Sequence, residues 1–214
     1  MKKHILFDFD GTIVNSKMLF FELYNELADE QDLQRISLAE VEQWSQLSLP
    51  KRFLKMNIPI FKLPMIINEM KTKLNEVVPT IQMVDGMGHV LQKLNESGYN
   101  ISILSSNSTD VIEQFCHTNQ LDYIQDVYSS AHIFGKHHSL EKYVDQYDIS
   151  KQQVLYVGDE YRDIAACKKA EIPIIAVTWG FDAKTLLEEG EPNYLVDDPT
   201  ELSAVIHAYP WSSI

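Results

Sequence analysis

Two aspartates separated by one residue follow an apolar run near the start of the chain, in HILFDFDGTIV, residues 4–14. Burying a carboxylate is costly unless something compensates it. Because side chains alternate along a strand, Asp8 and Asp10 point to the same side and Phe9 points to the other. Neighbouring carboxylates repel each other unless a cation lies nearby, so this spacing indicates a cation-binding site.

Further polar residues follow other predicted strands, and ligands of doubly wound sheets bind outside the carboxyl ends of the strands. The residues delivered there are Ser105, Ser106 and Asn107, then Lys136, then Asp159, Glu160 and Asp163. Each segment alone is more commonly a turn or a helix cap. Together, in chain order, they predict one site whose oxygen ligands suit Mg²⁺, with Lys136 as a second positive charge.

The elements that must position these residues are short apolar runs alternating with helical patterns. The predicted strands span residues 4–9, 101–105, 126–130, 153–158, 173–178 and 193–196. The predicted helices span residues 86–97, 109–118, 139–147, 161–171, 183–189 and 200–208, with Asp182 and Thr200 as N-caps of the last two. Runs that are apolar on both faces are typical of buried parallel strands. The alternation predicts a doubly wound, Rossmann-like α/β fold.

One segment, from about 16 to 80, shows helical pattern without a strand, and its prolines separate short pieces. These helices could pack on one face of the sheet or form a separate lid. We favour the lid, because a single crossover rarely needs so many helices. The predicted domains are therefore an α/β core, residues 1–15 and 81–214, and a helical cap, residues 16–80.

Composition excludes some classes of function. Eighteen basic residues against 31 acidic ones give a net charge of −13, which argues against binding to nucleic acid or to an anionic membrane surface. Asp8 and Asp10 interrupt the first apolar run, so it is no signal peptide. Only two cysteines occur, which favours a reducing, cytoplasmic setting.

The motifs DFDGT, ILSSN, Lys136 and VGDEYRD resemble, in that order, the four-motif set of the haloacid dehalogenase-like (HAD) phosphohydrolases. A helical insert just after the first motif is similar to the phosphoglycolate phosphatase-like branch. The resemblance implies a Mg²⁺-dependent phosphatase that hydrolyses a small phosphorylated metabolite through an aspartyl-phosphate.

The resemblance also implies roles for the acidic residues. Asp8 corresponds to the nucleophile, and Asp10 to the general acid–base, which protonates the leaving alcohol and then deprotonates water. Asp8, the backbone carbonyl of Asp10, and Asp159 would ligate Mg²⁺. Asp163 would order metal-bound water or Lys136.

The phosphoryl oxygens would be held by Ser106, Lys136 and the backbone N–H groups of Gly11 and Asn107, again as the resemblance implies. Ser105 is the alternative to Ser106. Glu160 is either a contact to metal-bound water or an exposed acid at a helix start.

Several alternatives remain open at this stage. A β-phosphoglucomutase-like sugar-phosphate mutase shares the same motifs, and a non-catalytic phosphate-binding relative would share the fold. Dehalogenase activity is disfavoured by Asp10, and the helical insert disfavours a receiver domain. The chain could be a monomer or a homodimer. Arg52 and Lys55 could meet an anionic group of the substrate, but a solvated helix face is the favoured interpretation. His137 and His138 are interpreted as exposed loop residues.

Overall fold

A computed structural model describes residues 2–77, 81–130 and 135–211. Within these ranges six strands form one parallel sheet in the spatial order β3-β2-β1-β4-β5-β6. The strands are β1 (His4–Phe7), β2 (Asn100–Ser105), β3 (Val127–Ser129), β4 (Val154–Gly158), β5 (Ile174–Val177) and β6 (Tyr194–Val196). All six coincide with predicted runs, so the prediction of a doubly wound α/β sheet is confirmed.

Strand register brings the predicted site residues to one edge of the sheet. Phe7, the last residue of β1, lies level with Ile103 of β2 and Val157 of β4. The strand order reverses between β1 and β4, and the crevice at such a switch point is where ligands of this architecture bind. Asp8 and Asp159, which follow these two strands, therefore lie on either side of the crevice.

Ten α-helices, and a 3-10 helix at Lys151–Gln153, lie within the described ranges. The α-helices are α1 (Lys17–Glu30), α2 (Leu38–Trp44), α3 (Leu49–Lys55), α4 (Leu63–Val77), α5 (Met87–Glu96), α6 (Thr109–Thr118), α7 (Lys136–Tyr147), α8 (Tyr161–Ala170), α9 (Lys184–Glu189) and α10 (Pro199–Ala208).

The starts of α7, α9 and α10 differ from the sequence prediction in informative ways. Helix α7 begins at Lys136, three residues earlier than predicted. Asp182 is not the N-cap of α9, which is Ala183, because the Asp182 carboxylate accepts hydrogen bonds elsewhere. The N-cap of α10 is Asp198 rather than Thr200, whose N–H and hydroxyl both donate to the Asp198 carboxylate.

Alternating strand residues divide the core between the two faces of the sheet. Ile5 and Phe7 of β1 belong to a cluster with helices α5, α6 and α10, whereas Leu6 belongs to a cluster with α7, α8 and α9. All three side chains are fully buried. A strand buried on both faces is rigid, which suits a strand that must hold reactive groups at its end.

The segment between β1 and α5 carries helices α1 to α4, and a separate apolar cluster in it includes Tyr24 and Leu27 of α1 and Ile66 of α4. Helix α1 packs against α4. Ser37 and Glu40 form the predicted capping box at the start of α2. The prediction of a helical insert after the first strand agrees with this arrangement, although residues 78–80, at its predicted end, lie outside the described residues.

Cys116 and Cys167 are both free thiols with buried side chains. No helix in the described part of the chain has the length and apolar composition needed to cross a bilayer.

Candidate active site

Asp8 stands directly after β1 and is nearly inaccessible to solvent. Its backbone N–H donates to the carbonyl of Val157 at 2.8 Å, which extends the pairing of β1 with β4 by one residue. Its Oδ1 accepts from the N–H of Phe9 at 2.8 Å, and its Oδ2 accepts from Lys136 Nζ at 2.8 Å. The Phe9 ring packs edge-to-face on Phe115 in the core, on the other side of the backbone. The carboxylate is therefore fixed at both oxygens.

Asp10 lies two residues further on, and its Oδ2 accepts from Asn107 Nδ2 at 3.3 Å. Its Oδ1 is buried and has no close hydrogen-bond partner among the described residues, and an interaction with the Ser16 hydroxyl lowers the pKa of the carboxyl group. Burial, and then the charge of Asp8, raise the pKa of Asp10 to about 7. A carboxyl group with a pKa near neutrality can both give and take a proton, as a general acid–base must.

Gly11 makes the turn after Asp10 with a φ of +75°, a region that favours glycine. A Cβ atom at this position would lie 2.3 Å from Asp159 Oδ2 and 2.7 Å from the ring of Phe181. The chain thus needs glycine here both for its backbone angle and for the close approach of Asp159. In this structure the Gly11 N–H donates to the carbonyl of Val14 at 2.9 Å.

Ser105 and Ser106 occupy different surroundings after β2. Ser105 is buried, and its Oγ accepts from the N–H of Asn107 at 3.1 Å. Ser106 lines the same cavity as Asp8 and Asp10, whereas Ser105 is not among the described residues that line it. This placement favours Ser106 as the hydroxyl that would meet a ligand in the cavity.

Lys136 is the first residue of α7, and only 4% of its side chain is exposed. Its Nζ contacts Asp8 Oδ2 at 2.8 Å and Asp163 Oδ1 at 2.6 Å. Burial lowers the pKa of this ammonium, but Asp163 and Asp8 outweigh burial and hold the pKa above its ordinary value. Lys136 therefore stays charged and links the strand that carries Asp8 to the helix that carries Asp163.

Glu160 is the N-cap of α8, where it forms a reciprocal capping box with Asp163. It is buried, so the prediction of an exposed acid is wrong, and the contact to metal-bound water stays a prediction. Arg162 Nε donates to its carboxylate at 2.7 Å. Carboxylate oxygens of Asp8, Glu160 and Asp163 lie within 4.8 Å of one another among the described residues.

Asp159 is one of the predicted metal ligands, but it is not part of the group formed by Asp8, Glu160 and Asp163. Its Oδ1 accepts from the Thr12 hydroxyl at 2.7 Å, and its Oδ2 accepts from the N–H of Phe181 at 2.8 Å. Burial raises the pKa of Asp159 well above its ordinary value, and the charges of Glu160 and Asp8 add to this effect.

The charges of this site are unbalanced in a way that fits a divalent cation. Five carboxyl groups meet here, those of Asp8, Asp10, Asp159, Glu160 and Asp163. Among the described residues they outnumber the cations that interact with them most directly, which are Lys136, Arg162 and Lys17. Carboxylate oxygens are the ligands that Mg²⁺ prefers, and a hard cation would offset the remaining repulsion. The unpartnered Oδ1 of Asp10 is a further sign that a group is accommodated beside it.

Two basic side chains, those of Arg52 and His137, lie in surroundings that differ from the sequence prediction. Arg52 was predicted to lie on a solvated helix face, but only 13% of its side chain is exposed. It pairs with Asp182, which also accepts from the N–H of Tyr161 at 2.6 Å, so it joins α3 to the start of α8. Lys55 is exposed, as expected. His137, predicted as an exposed loop residue, is buried in the first turn of α7.

Arg162 and Thr12 received no role in the sequence analysis, although both lie within the motifs. Arg162 neutralises Glu160, and Thr12 holds one oxygen of Asp159. Their positions in the motifs could have indicated these roles, because Thr12 ends DFDGT and Arg162 lies between the acidic residues of VGDEYRD.

Comparison with known proteins identifies the family. The family model for haloacid dehalogenase-like hydrolases matches residues 5–177. The chain belongs to this family. The expectation of a hydrolase with this fold, drawn from the four motifs, is thereby confirmed.

This HAD-like hydrolase is similar to several named proteins along nearly its whole length. It is 28% identical over 202 residues to phosphoglycolate phosphatase of Synechococcus elongatus, with 92% of this chain and 94% of that protein covered. It is 22% identical over 206 residues to pyrophosphatase PpaX of Bacillus mycoides, with 94% and 95% covered. The crystal structure of a predicted phosphatase from Clostridium acetobutylicum superposes with a TM-score of 0.82 at 21% identity, covering 97% of this chain and 99% of that one. This structural likeness concerns the fold.

Proposed function

We propose that this HAD-like hydrolase is a Mg²⁺-dependent phosphatase that acts on a small phosphorylated metabolite through an aspartyl-phosphate on Asp8. One observation carries the proposal: Asp8 is held between β1 and Lys136 while Asp10, with an unpartnered buried oxygen, lines the same cavity. A nucleophile and a separate acid–base in one cavity are what a two-step phosphoryl transfer requires. The similarity to a phosphoglycolate phosphatase and to a pyrophosphatase supports the reaction class.

In the first step, an oxygen of Asp8 forms a bond to phosphorus as the bond to the leaving alcohol oxygen breaks. The carboxyl group of Asp10 gives its proton to that oxygen, and its pKa of about 7 keeps part of it protonated near neutral pH. Lys136 and Ser106 would bind the phosphoryl oxygens, and Asn107, which contacts Asp10, would orient its carboxyl group.

In the second step, water attacks the phosphorus of the aspartyl-phosphate, and the bond to the Asp8 oxygen breaks. The carboxylate form of Asp10 takes the proton of the attacking water, which returns both aspartates to their starting states. Inorganic phosphate then leaves. The two steps use Asp10 in opposite protonation states. The first step leaves Asp10 as the carboxylate that the second step needs, and the second step restores the protonated form.

The ligands we propose for Mg²⁺ are the Asp8 carboxylate, the backbone carbonyl of Asp10 and Asp159, with Glu160 and Asp163 close enough to bind metal-coordinated water. The cation would neutralise the repulsion between Asp8 and the phosphate and stabilise charge on the transferring group. Thr12 and the N–H of Phe181 each donate to one oxygen of Asp159, and these contacts would orient its carboxylate for the ion.

Helices α1 to α4 would act as a cap, with residues 16–80 as its proposed limits and the remainder as the catalytic core. The cap would exclude bulk water during phosphoryl transfer and select the substrate. Its contacts to the core fit such a role, because Lys17 Nζ donates to the carbonyl of Gly180 at 3.1 Å and Phe20 packs on Phe181.

The proposal is tested by phosphate release from a broad panel of phosphate monoesters, with EDTA and with Mg²⁺, using wild-type protein and Asp8→Asn. We expect release only with Mg²⁺, and at least a 1,000-fold lower kcat for the variant. Phosphate release by Asp8→Asn at the wild-type rate would overturn the assignment of Asp8. Conversion of a phosphosugar to its isomer without phosphate release would favour the mutase alternative.

A further inference from the structure

The cavity that contains Asp8 and Asp10 has a volume of about 260 Å³ and extends between the core and the helices of the insert. On the core side its lining is polar and includes Ser106 and Asn107. On the insert side most of the lining side chains are apolar or aromatic; examples are Phe21, Tyr24, Trp44, Ile67 and Met70. The cavity next to the reactive carboxylates is thus polar on the side of the core and apolar on the side of the insert.

The apolar side offers little to a polar ligand. The Tyr24 hydroxyl already donates to the carbonyl of Gln34 at 2.9 Å. Trp44 is buried in the insert, and Phe20 beside it in the lining packs edge-to-face on Phe181. A surface of this kind gains free energy by excluding water from an apolar group, and not by hydrogen bonding.

Four cationic side chains among the described residues also line the cavity, but three of them already contact acceptors of the protein. Lys17 donates to the carbonyl of Gly180, Arg52 pairs with Asp182, and Arg162 pairs with Glu160. The fourth, Lys71, is half-buried and has no carboxylate partner in the part of the chain that the structure describes. The lining therefore provides one uncommitted cation against a broad apolar surface.

The size of the cavity exceeds what a phosphoryl group with a two-carbon tail would fill. An apolar cavity of about 150 Å³ is sufficient to bind benzene. A cavity of about 260 Å³ leaves room for an aromatic ring, or for an alkyl chain of similar size, beyond the position of the reacting phosphate.

We propose that the substrate is a phosphate monoester with an apolar body, an alkyl or aryl group of about six carbons, which the insert binds through the apolar side of this cavity. The proposal rests on the phosphatase activity proposed above and names its substrate class. The phosphoryl group lies against Asp8 and Ser106, and the apolar body lies against α1 and α4, beside Phe21 and Ile67.

The test is a homologous series. Values of kcat/KM are measured with Mg²⁺ for methyl, butyl and hexyl phosphate, for phenyl phosphate, and for phosphoglycolate and pyrophosphate. Each methylene buried in an apolar site contributes roughly a fourfold increase. We expect hexyl and phenyl phosphate to exceed methyl phosphate by about 100-fold or more, and to exceed phosphoglycolate. Equal kcat/KM values along the series, or a preference for phosphoglycolate, overturn the inference; the second outcome assigns Lys71 to an anionic tail.

A matched pair of variants locates the apolar side. Ile67, which is half-buried in α4, lines the cavity, whereas Ile60 is 82% exposed and does not. Ile67→Asp should flatten the dependence of kcat/KM on chain length, and Ile60→Asp should preserve it. Thermal melts establish that both variants fold, and Ile67→Ala gives a milder form of the same change if Ile67→Asp does not. A chain-length dependence that survives both Ile67 variants overturns the placement.

The two proposals fail in different ways. Absence of phosphate release from every compound overturns the phosphatase activity itself. Release without preference for an apolar body overturns only the substrate class. Calorimetric binding of hexyl and methyl phosphate to Asp8→Asn adds a readout without turnover; equal affinities for the two esters again overturn the inference.

Discussion

Replacing Lys136 with methionine removes the cation that lies between two buried carboxylates. In the structure its ammonium contacts Asp8 at 2.8 Å and Asp163 at 2.6 Å, and none of the three side chains is more than 4% exposed. Methionine preserves much of the volume and the apolar stem but supplies no charge and no donor. The variant therefore leaves both carboxylates buried and unpaired at these oxygens, with Arg162 as the remaining nearby cation.

Breaking a buried ion pair by removing one partner costs about 3–5 kcal/mol, because the other charge is left without compensation. For a domain of this length, each kcal/mol corresponds to roughly 2–4 °C in Tm, so Lys136→Met should melt about 6 to 20 °C below wild type at pH 8. The loss should be smaller at pH 5. Burial already raises the pKa of Asp163 and Lys136 lowers it, so removing Lys136 raises that pKa further and lets the native state take up a proton as the pH falls.

The assay is thermal unfolding followed by circular dichroism at pH 8 and pH 5, in EDTA, together with kcat for a phosphate ester in Mg²⁺. Lys142→Met is the matched control, since Lys142 is an exposed lysine of the same helix. We expect the control to stay within about 0.5 kcal/mol of wild type and Lys136→Met to lose at least 100-fold in kcat. If Lys136→Met melted with the control at both pH values, the buried charge cluster would not exist as described.

Three further predictions concern the insert, the first turn and a core thiol. Arg52→Ala loses an ion pair and two hydrogen bonds to backbone carbonyls, so it should lower the free energy of unfolding in urea by about 2–4 kcal/mol. Lys55→Ala, at an exposed position of the same helix, should lower it by less than about 0.5 kcal/mol. Equal effects of the two variants would contradict the contacts of Arg52. Gly11→Ala and Gly98→Ala both place alanine at positive φ, which should cost about 1–2 kcal/mol of folding stability each. Only the Cβ of Gly11→Ala meets atoms within 3 Å, so only this variant should lower kcat/KM, by about 100-fold. Full activity of Gly11→Ala would refute the close approach of Asp159 to Gly11. Burial raises the pKa of Cys116 to about 12, so iodoacetamide at pH 8 should alkylate it about 100-fold more slowly in the native protein than in guanidinium chloride, and equal rates would show the thiol to be exposed.

Local sequence determined the strands and the residues that end them. Runs such as HILF and VLYVG are apolar on both faces, and only a sheet covered by helices on both sides accommodates them. Because parallel strands end at one edge, the residues that follow β1, β2 and β4 had to meet there. Asp8, Asp10 and Asp159 could thus be named as site residues before any contact was known, since their positions depend on strand order and on little else.

Helix boundaries depended on charges that are distant in sequence. The sequence pattern predicts a helix only from residue 139, which leaves Lys136 in the loop after β3. The structure begins α7 at this residue because Asp8 and Asp163 hold its ammonium. Asp182 reads as an N-cap in the sequence, but its carboxylate is engaged by Arg52 and by the N–H of Tyr161.

Only the tertiary structure decided which of two similar side chains belongs to the site. Arg52 and Lys55 lie on one short helix and look alike in sequence, yet one is buried against the core and the other is exposed. Glu160 was ambiguous for the same reason, and the structure buries it against Arg162. The sequence by itself determined which chemical groups reach the edge of the sheet, because periodicity and strand order are local rules. The way the insert lies over that edge depends on packing between segments far apart in the chain, and local pattern does not encode it.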